Sequence, residues 1–342
     1  MAYGIRALRK LQFGRESTAG TAVAATTIWR GEGTIEDARI VEFPVEDIGI
    51  IPATTRAYQP AYGASLKLAS TPATFEQLNH IFEMSIKTVT AASDGAGSDK
   101  IYTYPLPTTT PMFLTPSANS VPIKSYTIQG GDNQEAERME FSHAVSFELS
   151  FEAGKPVMVS ADLFGRQAAL NAFTGSLSAP TSETILSSNG KVYIDLIGGT
   201  VGTTQITNEI LSGSIKVDTG IKAIRTADGQ LYFSFVKGTR PSIVTTLKFE
   251  HSTFASAEKV FWRAGTPRLF QIKFEGSTVT TPGTTYSKKT LIFNTAGVYE
   301  KFSALEDTDG DDTVTATIRS GYDSTAAQFA TFIHVNELAS VP

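Results

Sequence analysis

The chain has 342 residues, 41% of them apolar and 18% charged, with a net charge of −5. That length fits two ordinary domains with real cores, and the charged share lies below the average of about 25%. Neither half has the cationic excess that nucleic-acid binding needs, since residues 1–170 carry a net −4 and residues 171–342 a net −1. With no cysteine there are no disulfides and no thiolate metal sites, and no run reaches the roughly 18 apolar residues of a membrane helix.

From the N-terminus, MAYGIRALRKLQFGRE shows neither an apolar core nor a cleavage pattern, so no targeting segment is expected. Residues 15–27 are small and polar and predict a loop. An acidic run follows, with Glu32, Glu36, Asp37, Glu42, Glu46 and Asp47 against only Arg39. Residues 40–65 mix aliphatics and tyrosines with prolines at 44, 52 and 60. Long loops carrying apolar residues tend to be functional. This one reads either as an edge hairpin folded on its own domain or as an arm that docks on a neighbouring subunit through Ile48, Ile50, Ile51, Tyr58 and Tyr62.

Residues 66–82, LKLASTPATFEQLNHIF, and 247–261, LKFEHSTFASAEKVF, are similar. Leu66-Lys67-Leu68 matches Leu247-Lys248-Phe249, Thr74-Phe75 matches Thr253-Phe254, and Ile81-Phe82 matches Val260-Phe261. The spacing predicts helices over 73–86 and 253–264, with Thr74 and Thr253 as N-caps. Residues 88–99 predict a loop. Alternation of period two marks strands within 100–107, 125–131, 144–165, 191–199, 214–224, 231–238, 269–276, 289–305 and 312–321. A second acidic run holds Asp132, Glu135, Glu137 and Glu140 against Arg138. Gly154 and Asp309-Gly310 suit hairpin turns. The order helix, strand, strand, hairpin recurs, and the turn-rich stretch 171–184 places a boundary that gives domains 1–172 and 173–342. The fold class is mainly β, as two tandem β-sandwich or barrel-like units, each with one flanking helix.

Chemistry is sparse. His80 is expected on a helix surface, and His143 and His251 beside strands; His334 completes the four, and none has ligand spacing. Ser188-Asn189-Gly190-Lys191 fits SxxK but reads better as a turn before a strand. Asp307 to Asp312 offers clustered oxygens for calcium, yet lacks the distal glutamate and sits where a hairpin turn is expected. No catalytic, cofactor-binding or metal residue is assigned, and no cofactor is expected. The acidic runs read either as solvated faces or as a surface that repels polyanions.

The segments FGRESTAGTAVAATTIWRGEG, IIPATTRAYQPAYGASLKL, ATFEQLNHIFEMSI and VMVSADLFGRQ resemble major tail tube proteins of long-tailed, siphovirus-like bacteriophages, in their two-domain form. The resemblance covers the chain loosely from end to end and is more specific in the N-terminal half. It implies sandwich domains whose inner sheets join across subunits into a β-barrel around a lumen. Three two-domain chains then supply six pseudo-equivalent units per ring, and rings stack into the conduit for DNA ejection. Implied partners are further copies of the chain, a tape measure protein and DNA in the lumen, and tail terminator and baseplate proteins at the ends, with no membrane. The implied location is the virion tail, assembled in the host cytoplasm. The lumen is expected to be acidic and small-polar, with Glu32, Glu36, Asp37, Glu42, Asp132, Glu135, Glu137 and Glu140 as candidates. The alternative is a β-sandwich binding module, carbohydrate-binding or adhesin-like, for which Trp29 and Trp262 are the only tryptophans. An enzyme is not expected.

Overall fold

The computed structural model describes residues 3–52, 54–113 and 121–342. Its strands in the first half are β1 (Lys10–Arg15), β2 (Thr27–Trp29), β3 (Gly33–Asp37), β4 (Ile40–Glu42), β5 (Tyr58–Ala61), β6 (Ala64–Pro72), β7 (Ala92–Ser93), β8 (Lys100–Pro105), β9 (Met112–Phe113), β10 (Val121–Pro122), β11 (Tyr126–Gly131), β12 (Ala136–Glu152), β13 (Met158–Gly165) and β14 (Ala168–Asn171). The second half adds β15 (Gly190–Leu196), β16 (Gln205–Ile206), β17 (Ile210–Asp218), β18 (Ile221–Ile224), β19 (Phe235–Gly238), β20 (Ser242–Glu250), β21 (Arg268–Thr278), β22 (Lys288–Phe302), β23 (Glu306–Thr308), β24 (Asp311–Ser320) and β25 (Ala330–Asn336). Two α-helices, α1 (Leu78–Ser85) and α2 (Thr253–Ala264), follow β6 and β20. The protein is mainly β. Nineteen strands form one largely antiparallel network, and among the described residues no set of strands closes into a barrel within the chain.

The strand pairing repeats. In the first half β1 pairs with β2 and β11, β11 with β12, β12 with β14 and β13, β13 with β6, and β6 with β3. In the second half β15 pairs with β16 and β21, β21 with β22, β22 with β25 and β24, β24 with β20, and β20 with β17. Every link has its counterpart. The long strands β12 and β22 each serve two layers, pairing with β11 or β21 near one end and with β13 or β24 near the other. A bulge marks the change in both, at Val145 in β12 and at Glu300 in β22; such an extra residue bends a strand from one sheet into the next.

Those bulges fix the register between the halves and correct the match read from sequence. Leu68 lies opposite Ala161, and Leu247 opposite Ala316, so Leu68 corresponds to Leu247, two residues from the expected pairing. β6 also carries one inserted residue between Leu68 and Thr71 that the β20–β24 ladder lacks, and identity of residue type cannot report an inserted backbone unit.

The helices also differ from expectation. Residues 73–75 continue a ladder instead of opening a helix: Thr74 bridges Thr184, and the Phe75 amide donates to the Glu183 carbonyl at 3.1 Å. α1 therefore starts at Leu78, and Thr74 is not its cap. At the cap position Gln77 spends its side chain elsewhere, on the Ile28 carbonyl and the Arg30 amide. In α2 the cap is Ser252, one residue before Thr253, with Oγ accepting from the Ala255 amide at 3.2 Å. α2 ends at Gly265 in the left-handed conformation (φ 63°), where glycine has no Cβ to clash. Asp309 and Gly310 (φ 54° and 93°) form the two-residue turn between β23 and β24, as turn chemistry predicts.

One apolar core runs through both halves, from Leu11 to Val341. All eight residues of α1 are buried. His80 is consequently not on a helix surface: it is fully buried, edge-on to Phe13 and Tyr126. Each helix sends one glutamate inward. Glu83 of α1 meets Arg15 at 2.8 Å and accepts from Tyr126 at 3.0 Å. Glu258 of α2 meets Arg268 at 2.7 Å and accepts from Tyr299 at 2.8 Å. The same three residue types pin both helices, although the arginine comes from β1 in one case and β21 in the other.

Replacing Glu258 with Ala strands the buried Arg268 guanidinium without a counter-charge. The expected cost is about 3–5 kcal/mol of stability, since breaking a buried pair is far more damaging than the pair is worth. Urea unfolding measures it; a loss near zero would mean the guanidinium reaches water.

Three histidines, His80, His143 and His334, are fully buried, and burial pushes each down to about 3, with the Arg15 charge adding to the effect at His80. Below pH 6.5 the unfolded chain binds three protons that the folded chain refuses. Stability from these groups is present above the unfolded value of about 6.5 and is lost as pH falls toward 3 at roughly 1.4 kcal/mol per pH unit for each histidine. A melting temperature that stays flat between pH 7 and pH 5 would contradict this.

Candidate assembly interface

The two halves join edge to edge. The second part of β12 pairs with β17 over seven positions, from Ser146↔Asp218 to Glu152↔Ser212. On the core side Phe147 and Leu149 face Val217 and Ile215. Phe151 lies across Gly213, where an added Cβ would come within 2.6 Å of the ring and 2.8 Å of the Thr246 carbonyl. The seam continues past β17, where the Thr219 amide and hydroxyl both donate to the Val145 carbonyl, at 2.9 and 2.7 Å.

The result is a run of eight strands in the order β3-β6-β13-β12-β17-β20-β24-β22. It is four strands used twice. Its two ends are open. β3 pairs only with β6, and residues 298–302 of β22 pair only with β24, among the described residues. β3 is the counterpart of β17, and β22 is the counterpart of β12. The free ends are therefore the two sides of the seam already made inside the chain, with Gly33 standing where Gly213 stands.

One face of this sheet packs on the core; the other is polar. Along β12 the outward positions are Ser146, Glu148, Ser150 and Glu152, and along β17 they are Ser212, Ser214, Lys216 and Asp218. Two of its lysines are opposed by carboxylate, Lys216 by Glu148 and Lys67 by Asp162, whereas Lys248 lies between Ser212 and Thr315 and Lys301 opposite Thr317. Arg319 is held by Glu300 at 2.9 Å.

Of the acidic residues picked from sequence, Glu36 stands on this polar face, opposite Ser65. Asp132, Glu135, Glu137 and Glu140 lie off it, in and beside the β11–β12 hairpin of the other layer. The two runs nonetheless meet, because Glu137 is pushed up by partial burial and by the charges of Glu135 and Asp37. Asp132 is held low by the amides of Gln134 and Glu135. Glu32 and Asp37 have their own arginines, Arg6 at 3.7 Å and Arg39 at 3.3 Å. Glu42 accepts from Tyr58 Oη at 2.5 Å, and that bond pushes the phenol up.

Within residues 40–65, β4 and β5 pair as a hairpin. Its tip carries Ile48, Ile50 and Ile51, all exposed, Ile51 completely. Tyr58 is exposed on the shaft. Tyr62 is anchored at the base, under the Arg39 guanidinium and bonded through its backbone to Leu231 and Arg225. The feature that sequence reasoning missed is the equivalent hairpin of the second half, β18–β19. Its segments resemble ordinary strands, and only the pairing reveals that they stand where β4–β5 stand. Among the described residues no cluster of His, Cys, Asp and Glu is arranged to hold a metal ion. The chain matches no model of a known protein family and no curated protein.

Gly213→Val should destabilise the fold by about 1–3 kcal/mol, because the added methyls force the Phe151 ring out of its place across the seam. Denaturant midpoints decide the point; an unchanged midpoint would show that the strands have room to spare.

Proposed function

We propose that this protein is a structural subunit that self-assembles, edge to edge, into a closed ring, and that the rings stack into a tube of the phage-tail type serving as a conduit for DNA. The observation that carries this is the internal seam: β12 of the first half pairs with β17 of the second, and the eight-stranded run ends in an unpaired edge of β3 and an unpaired stretch of β22 among the described residues. Repeating the internal step between chains joins β22 of one copy to β3 of the next. A heterologous contact of this kind closes into a ring when its rotation divides a full turn. Closure also covers two long strand edges that a monomer would leave open to aggregation. Three copies, with two repeats each, give six units and 24 strands in the inner wall. No catalytic role is assigned.

The polar face of the eight-stranded run is then the lumen wall. Its serines and threonines offer no fixed charge; Lys216 and Lys67 lie opposite Glu148 and Asp162, while Lys248 lies between Ser212 and Thr315 and Lys301 opposite Thr317. A passing duplex meets mostly hydroxyls and opposed charges, with Lys248 and Lys301 as the cations that have no carboxylate opposite, so each ring adds little friction. A tape measure protein before ejection, and terminator and baseplate proteins at the ends, fit the same arrangement. The second reading, a monomeric β-sandwich binding module, has less support: Trp29 is buried against Phe13, and Trp262 packs on Phe302.

The seam register extends to the copies. Counting from the bulges, Ser303 falls opposite Glu36, as Glu148 falls opposite Lys216 inside the chain. Because the chain has no cysteine, Glu36→Cys with Ser303→Cys reports this pair alone. Oxidation should give a covalent ladder that stops at three copies. A ladder stopping at six, or no linked species in concentrated protein, would sink the three-copy ring.

Stacking is assigned to the hairpin tip. Ile50→Asp with Ile51→Asp should leave rings intact and abolish tubes, since these side chains are too apolar to face only water. Negative-stain microscopy distinguishes rings from tubes; tubes of ordinary length from this variant would remove the tip from the ring-to-ring contact.

A further inference from the structure

We infer that the shaft of the β4–β5 hairpin is a lateral clasp that docks on the second half of a neighbouring copy, near its Val298 and Tyr322. This rests on the ring reading and adds a second contact to each seam.

The template lies inside the chain. β18–β19 leaves the seam strand β17 and crosses onto the first half. Its Ile221, Phe233 and Val236 are buried there in a separate apolar cluster with Met112, Ile123 and Phe141. Phe233 packs 5.0 Å from Phe141 and edge-on 5.5 Å from Phe164, both of the first half. Each half thus inserts a hairpin directly after its seam strand. In the second half that hairpin grips the unit across the seam.

In the first half the shaft of the same hairpin is left exposed among the described residues. β4–β5 follows β3 and precedes β6, as β18–β19 follows β17 and precedes β20. Its shaft exposes Ile40, Val41, Phe43 and Val45, with Phe43 at 64% and Val45 at 78%. The surface that corresponds to the gripped one lies on the second half. There the bulge register places Val298 at the position of His143, and Arg319 at that of Phe164. Val298 and the nearby Tyr322 are exposed. β9–β10, which cover part of the first site, have no counterpart between α2 and β21, so this surface is barer. The unfilled hairpin and the uncovered surface lie beside the two free strand edges, and a second copy joined at those edges supplies each to the other.

The hairpins are also linked end to end. The β18–β19 loop touches the base of β4–β5: the Leu231 carbonyl accepts from the Tyr62 amide at 2.8 Å, and Arg225 donates to the Tyr62 carbonyl at 2.6 Å. Repeated around a ring, that contact makes a continuous belt of clasps.

The test changes each side separately. Val41→Asp with Phe43→Asp alters the hairpin, and Val298→Asp with Tyr322→Asp alters the receiving surface. These side chains are exposed in the single chain, so the melting temperature of the monomer should hold. In sedimentation, both variants should need at least about tenfold more protein to form rings, since a charge placed in an apolar contact is costly. A photo-crosslinking residue at Phe43 should capture residues 296–322 of another copy. Rings that close as readily as those of the unaltered chain, or capture only within the first half, would overturn the clasp and leave the ring standing. An unaltered chain that stays monomeric would overturn both.

Discussion

The β12–β17 ladder is the constraint on which the rest of the molecule depends. It makes one sheet from two repeats, aligns their cores, and leaves the outer strands as two halves of an unfinished copy of itself. Hydrogen bonds alone do not make it specific, because any strand edge offers those. Specificity comes from side chains that fit in only one register. Phe151 needs the bare backbone of Gly213, and a slip by one residue would turn Phe147 and Leu149 toward water.

The halves have diverged around that shared frame. In each, a glutamate held by an arginine and a tyrosine pins the helix to the layer beneath. The arginine has moved from β1 to β21 and the tyrosine from β11 to β22, while the carboxylate stays on the helix. A buried charge constrains its neighbours to supply a partner, though not from any particular position. The first half also carries a segment between α1 and β11 that the second half lacks between α2 and β21. β8 from that segment pairs with β25 of the second half. The join therefore has a second ladder, and α1 is enclosed on all sides.

Much of this was legible in the sequence. Period-two alternation located most strands, and the order of strands and helices pointed to a repeat, although the Thr-Phe echo fell on a ladder in the first half and on a helix in the second. What alternation cannot give is register. The strand pairing moved the Leu66–Leu68 match by two residues, and a bulge such as the one after Leu68 has no residue type of its own. Thr74 looked like a cap because its neighbours were helical in pattern, but its backbone was needed by Glu183 and Thr184. His80 looked exposed because amphipathic spacing implies a wet face, and α1 has none. The acidic runs were legible as clusters only. Their division between the polar face and the β11–β12 hairpin depends on pairing between residues about 100 positions apart.

The unequal covering of the helices has a consequence for whatever surrounds the assembly. α1 is wholly enclosed, whereas α2 buries only Ala255 and Glu258 and turns Val260 outward. A ring of three such chains is nearly sixfold in its strand framework and strictly threefold on its rim. In the proposed ring, anything that fastens to the exposed helix would meet three handholds per layer, set 120° apart, and the wall would alternate between a smooth panel and a ribbed one.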